Sequence, residues 1–157
     1  MKVLVIHNGK TEDNYLISGI EKYEKRLKHY LSIETLHLPA LKNTQALSKE
    51  EQKEKEGIVI LSKLQNTDFI VLLDEKGKQF TSVDFSKYLT QHMNTGTRRI
   101  VFITGGPYGF SEDVYAKANF KISLSAMTFS HQMVRLFFIE QLYRAMTIHK
   151  GEPYHHE

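Results

Sequence analysis

Three short stretches of this chain are apolar from end to end: VLVI (3–6), FIVLL (69–73) and IVFI (100–103), the last closed by Thr104. A strand with one face in water alternates polar and apolar residues. These do not, so both of their faces are covered, as in a parallel sheet sandwiched between helices. FKISL (120–124) is a weaker fourth candidate. SIETLHL (32–38) alternates imperfectly and runs into Pro39, which marks a strand nearer an edge.

Helical patterns fill the gaps. Over residues 15–27, Leu16, Ile20, Tyr23 and Leu27 recur at intervals of three and four and form one core-facing stripe. Ser48 is a candidate N-cap for the charged run KEEQKEKEG, where Glu51 and Lys55 have the spacing of a helical ion pair. The mixed signs of that run predict a solvated helix face. Thr81 or Ser82 caps a third helix reaching Met93, and a last helix spans 131–149. Strand and helix alternate throughout, so the predicted class is α/β, one domain over 1–157 with a mostly parallel sheet flanked by helices. The last helix carries more apolar surface than a single stripe needs. A second copy of the chain is the expected cover, giving a homodimer through this C-terminal helix.

Composition removes several classes of function. The 157 residues include no cysteine, which excludes disulfides, thiolate zinc sites and a cysteine nucleophile, and no metal site is expected. No apolar run approaches the ~20 residues of a membrane span, and MKVLVIHNGK is too short for a signal peptide, so a soluble cytoplasmic protein is expected. A net charge of +3 with eight histidines permits an RNA partner and does not prove one.

The stretch FITGGPYGF (102–110) follows a buried strand at its carboxyl end, where ligands bind in open parallel sheets. Gly105, Gly106 and Gly109 allow close backbone approach, and Pro107 stiffens the turn. The spacing is neither the dinucleotide GxGxxG nor a P-loop, and no lysine follows to hold phosphate. A ligand-free strand-to-helix turn remains open on these residues. In the second informative stretch, 123–130, small hydroxyl residues alternate with Leu124, Met127 and Phe129, which offers backbone polar groups beside apolar walls, suited to a flat heteroaromatic ring. Ser130 is alternatively the N-cap of the last helix.

Taken together, VLLDEKGK, FITGGPYGF, LSAMTFSHQMVRLFFIEQLYRA and the terminal KGEPYHHE closely resemble the ribosomal large-subunit methyltransferase H family, a single-domain branch of the SPOUT superfamily. The likeness runs from the opening strand to the last residue. It implies S-adenosyl-L-methionine as methyl donor and N3 of a pseudouridine in helix 69 of the 23S ribosomal RNA as target, with the assembled ribosome as the expected setting. It also implies a homodimer and a C-terminal trefoil knot. Family ligand positions carry over onto Leu73, Gly105, Leu124, Ser125, Ala126, Met127, Thr128 and Phe129. The chain differs from many relatives at Tyr108, at Ser130 and at His156, where an arginine is common.

Methyl transfer to a ring nitrogen requires alignment and a destination for its proton. The candidates for this work are Tyr154, His155, Arg135 and His131, with His156 behind them. The tail residues rank first because a family-like tail lies near the pocket, as that of a partner subunit. Each has a structural alternative: His131 in the first helical turn, Arg135 in an ion pair, the tail as a passenger. A non-catalytic RNA- or ribosome-binding module on the same fold is the competing reading, and a Rossmann-like nucleotide enzyme is a weaker one.

Overall fold

The computed structural model describes residues 1–156. Five strands form one sheet in the order β2-β1-β4-β3-β5: β1 (Lys2–Asn8), β2 (Ser32–Leu38), β3 (Phe69–Gln79), β4 (Arg99–Thr104) and β5 (Phe120–Ser123). All four pairings are parallel. The helices are α1 (Asn14–Leu27), α2 (Lys49–Leu61), α3 (Ser82–Asn94), the short α4 (Glu112–Lys117) and α5 (Met133–Lys150). β2 lies at an edge as its alternation predicts, with β5 at the other.

The end-to-end apolar strands follow from two separate cores. Val3, Val5, Val71, Ile100 and Phe102 point to one side of the sheet, where α1, α3 and α5 cover them. Leu4, Ile6, Ile70, Leu72, Val101 and Ile103 point to the other, beneath Ile60 of α2 and Val114 of α4. Because successive side chains alternate across a strand, a residue-by-residue apolar run fills both cores at once.

Helix starts follow local chemistry. Ser48 accepts from the Glu51 N–H (3.1 Å) while the Glu51 carboxylate takes the Ser48 N–H (2.7 Å), a capping box. That engagement holds the Glu51 carboxyl below its usual range, chiefly through the Ser48 backbone bond. Lys55, one turn on, adds a smaller charge effect in the same direction, while the direct ion pair at this end of α2 is Lys53–Glu50 (2.6 Å). Thr81 caps α3 by accepting from Asp84 N–H (3.1 Å). Helix α5 begins at Met133, two residues later than the periodicity predicts. Ser130 still accepts from the Met133 N–H (3.2 Å) and its carbonyl from Val134 N–H, so it closes the α5 entrance.

Two features escaped the sequence reading. The six-residue α4 is too short to show a period. β3 runs on from Leu73 to Gln79, slipping register so that Ile122 of β5 pairs with both Leu73 and Lys78. Gly77 sits in that slip, and a Cβ there would lie 2.6 Å from backbone atoms of Lys121 and Ile122.

A single chain covers much of α5. Phe138, Ile139, Leu142 and Met146 are buried, with α1 packing closely enough that Gly19 meets the Leu136 side chain. What stays open is narrower than the sequence suggests: Phe137 is exposed, with Gln141, Arg144 and Ile148 half-buried at following turns. No helix among the described residues is long and apolar enough to cross a membrane.

Candidate functional site

A cavity of about 690 Å³ opens at the carboxyl ends of β4 and β5 and beside the middle of β3, at residues 73–76. Its floor is Leu73 and Thr104, one wall is the glycine turn from Gly105 to Phe110, and the facing wall is the segment after β5. Strand order explains the place: β4 and β5, the two neighbours of β3, end on either side of its register slip, and the loops leaving them diverge.

Each wall is held in shape by its own bonds. The glycine turn closes through a Gly109 N–H to Gly106 carbonyl bond (3.2 Å), with Gly109 at φ +81°. A Cβ on Gly106 would stand 2.8 Å from Asn8 Nδ2 and from Glu56 Oε2, so the turn lies against two polar side chains with only a hydrogen in between. In the facing wall, the Ser123 hydroxyl donates to the Ser125 carbonyl (2.8 Å), and the Ser125 hydroxyl accepts from Met127 N–H (2.9 Å). These bonds turn the 123–127 backbone tightly and leave the Met127 side chain 77% exposed. Phe129 packs against Phe137 with centroids 4.9 Å apart and the rings tilted by 43°.

Beneath the turn, His7 of β1 and Thr104 of β4 are register partners, His7 Nδ1 lying 2.9 Å from Thr104 Oγ1. Burial, then the Arg135 and His37 charges, hold the His7 pKa well below its usual value, so this ring is neutral.

Of the eight positions assigned to the methyl donor, seven line the cavity: Leu73, Gly105, Leu124, Ser125, Met127, Thr128 and Phe129. Ala126 is exposed and does not. His131 lines it, at the turn leading into α5. Arg135 does not. It is fully buried, donating to the Asn8 carbonyl (2.7 Å), the Gly9 carbonyl (3.2 Å) and Thr11 Oγ1 (3.0 Å), and so ties α5 to the turn between β1 and α1. The predicted carboxylate partner for Arg135 gives way to these carbonyls, and its Nε has no partner.

The tail lies elsewhere. Tyr154 packs edge-on against Tyr143 (4.8 Å between centroids), with its hydroxyl 3.1 Å from Glu140 Oε1 and 3.3 Å from Tyr23 Oη. Burial first, and these partners next, push its pKa up. His155 Nδ1 is 3.4 Å from Arg144 Nη1. Neither residue lines the cavity; Tyr154 lies beside Glu140, six residues along α5 from the cavity-lining Val134, a rise of about 9 Å. One chain therefore does not bring Tyr154 and His155 to its own cavity. His156 is exposed, and Glu157 lies outside the described residues.

The cavity also uses residues that sequence reasoning passed over. Asp74 follows Leu73 and accepts from the Tyr115 hydroxyl (2.5 Å) and the Lys76 N–H (2.8 Å), joining α4 to the middle of β3. Lys53 of α2 reaches the rim, although its charged run looks like plain solvated surface. The DEKG segment was the available signal for Asp74; nothing in the spacing marked Lys53.

Comparison with known proteins decides the lineage. The family described as "Predicted SPOUT methyltransferase" matches residues 1–155. A protein of Parabacteroides distasonis named "Ribosomal RNA large subunit methyltransferase H" is 58% identical over 157 residues, covering all of both chains. The chain belongs to the ribosomal RNA large subunit methyltransferase H family. A methyltransferase H of Christiangramia forsetii is likewise 58% identical, over 99% of each chain. Among solved structures, a probable methylase family protein from Haemophilus influenzae aligns with a TM-score of 0.52 at 8% identity, over 95% of this chain and 66% of that one. That likeness concerns the fold alone. Full-length identity to methyltransferase H proteins agrees with the four motifs that carry the resemblance.

Proposed function

We propose that the chain is an S-adenosyl-L-methionine-dependent methyltransferase of large-subunit ribosomal RNA, acting at N3 of a pseudouridine in helix 69 within the ribosome in the cytoplasm. The observation that carries this reading is the cavity at the ends of β4 and β5, beside the middle of β3. Its lining includes seven of the eight positions that the family resemblance assigns to the methyl donor. The glycine turn fits such a group, since Gly105 carries no side chain between the cavity and the Phe110 ring, which a Cβ would approach to 3.3 Å. Apolar walls at Leu73, Leu124 and Phe129 suit an adenine ring, and the backbone of the serine-rich segment offers it hydrogen bonds.

S-adenosylmethionine supplies a methyl group on a sulfonium, which passes to N3 as the C–S bond breaks, leaving S-adenosylhomocysteine. The chain's task is to align the two partners and to receive the proton that N3 loses. His131 stands at the cavity for that role. Tyr154 and His155 act there only from a second subunit, because in their own chain they are turned onto Glu140 and Arg144 of α5 and do not line the cavity. A homodimer packed through the exposed Phe137 face, with the two α5 helices antiparallel, supplies this arrangement. Arg135 serves by fixing the turn after β1 and does not touch the substrate.

The proposal includes a trefoil knot over the C-terminal third. Three features support it: Gly77 pressed on the β5 backbone, the 124–130 segment running along the glycine turn, and α5 returning to pack on both α1 and α3. An experimentally traced chain whose last fifty or so residues pull free without threading would overturn it.

Mass spectrometry of helix 69 RNA from cells with and without this protein tests target and chemistry together. The expected result is a methylated pseudouridine lost on deletion; an unchanged RNA overturns the assignment. Calorimetry with S-adenosylmethionine separates the catalytic reading from the non-catalytic ribosome-binding module, which predicts no binding at millimolar ligand.

A further inference from the structure

Tyr108 is the one aromatic residue of the glycine turn that the chain leaves open. It lines the cavity, yet 45% of its surface faces solvent, whereas Phe110 two residues later is buried. The Lys49 ammonium lies 5.4 Å from the centre of its ring. Lys49 does not itself line the cavity, while Lys53, one helical turn on, does. Lys49 therefore sits beside a half-open ring without entering the cavity that the ring lines.

We propose that Tyr108 is a stacking platform for an unpaired RNA base, with Lys49 beside it to meet an adjoining phosphate. The inference rests on the RNA-directed reading above and adds a recognition residue to it. Unpaired bases are held by aromatic faces, and one stacked base contributes substantially to binding whatever its identity. A cation backing the ring suits this occupant better than it suits the methyl donor. The donor's sulfonium, ammonium and carboxylate sum to one positive charge, which a neighbouring lysine does not favour, whereas every nucleotide brings a phosphate that a lysine attracts. The turn's rigidity serves the same end: Pro107 and the Gly106–Gly109 bond fix the backbone on either side of Tyr108, so little ordering is left for the bound state. The mixed-charge start of α2 thus has a positional role at Lys49 that its sequence does not advertise.

The test uses the full-length protein and ribosomes purified from cells lacking it. Equilibrium sedimentation measures ribosome affinity, steady-state methylation measures KM for ribosomes, and calorimetry measures S-adenosylmethionine affinity, for Tyr108→Ala, Tyr108→Phe and Lys49→Ala. Stacking predicts about a tenfold loss of ribosome affinity and a matching rise in KM for Tyr108→Ala. Cofactor affinity stays within twofold, and Tyr108→Phe behaves like the unmodified protein because it keeps the ring. Lys49→Ala should flatten the dependence of ribosome affinity on salt. Unchanged ribosome affinity in Tyr108→Ala overturns the proposal. So does a tenfold loss of cofactor affinity with ribosome binding intact, which would put the ring on the methyl donor. If the unmodified protein binds no cofactor, the methyltransferase reading fails, and sedimentation still decides the role of Tyr108.

Discussion

His7 and Thr104 meet across β1 and β4 at 2.9 Å, directly under the glycine turn, and the histidine is buried and neutral. The folded-state pKa of His7 lies below its unfolded value, so the unfolded chain binds the extra proton first. Stability is then full above about pH 6.5 and falls as pH drops below it. The charges facing the ring, Arg135 and His37, act in the same direction. His92, depressed by burial against Phe69 and Tyr88, adds to the slope. Urea midpoints from pH 7.5 to 5.5 should fall for the wild type and fall less for His7→Asn, by up to about 1.4 kcal/mol per pH unit for one proton. Equal slopes would mean that His7 titrates normally.

Arg135 holds the turn after β1 with three hydrogen bonds from a fully buried guanidinium. Arg135→Ala strips partners from two carbonyls and leaves a hole, and should cost about 3 kcal/mol in urea denaturation. Arg135→Lys should recover only part, since one ammonium cannot reproduce the planar fork. A loss below 0.5 kcal/mol for the alanine variant would show that water replaces the side chain without penalty.

Gly77 has no room for a methyl group against β5. The atoms in the way belong to the backbone, so they cannot swing aside as a side chain would. Gly77→Ala should destabilise the protein by about 3 kcal/mol and weaken cofactor binding as well, because β5 leads straight into the cavity wall. Gly19→Ala is the control: its obstacle is the Leu136 side chain, which can rotate away, and cofactor binding should persist. Normal cofactor affinity in a folded Gly77→Ala protein would separate the β3 slip from the site.

Tyr154→Phe and His155→Ala are expected to slow methylation at least tenfold while cofactor affinity stays within twofold. If the tail works in the partner's cavity, mixing Tyr154→Phe chains with chains damaged at Gly105 should restore activity through mixed dimers. Wild-type rates in both tail variants would remove them from the chemistry.

The sheet was legible in the sequence because both cores draw on the same strands. Leu4 and Val5, or Val101 and Phe102, face opposite sides, and their unbroken apolar runs leave parallel pairing as the only consistent arrangement. The cavity walls were legible for a different reason: glycines at a strand end and small hydroxyl residues before an apolar helix have few other uses. Arg135 was not, since an arginine in a helix of mixed pattern gives no hint that it points inward to carbonyls contributed by residues far earlier in the chain. Tyr115 and Asp74 meet only because the β3 slip and the short α4 bring them together, and neither has a sequence period. The separation of Tyr154 from its own cavity is set by its packing back onto Tyr143 and Glu140 of α5, contacts across eleven and fourteen residues that no sequence period marks.

The two cores on either face of the sheet share few side chains, yet the cavity touches both: Leu73 and Ile122 belong to one and Phe110 to the other. A molecule seated there acts as a rivet between two layers otherwise joined through the strands. Its binding free energy would appear in thermal unfolding as a higher midpoint. Because both layers are gripped at once, that gain is shared by the helices on the two faces of the sheet.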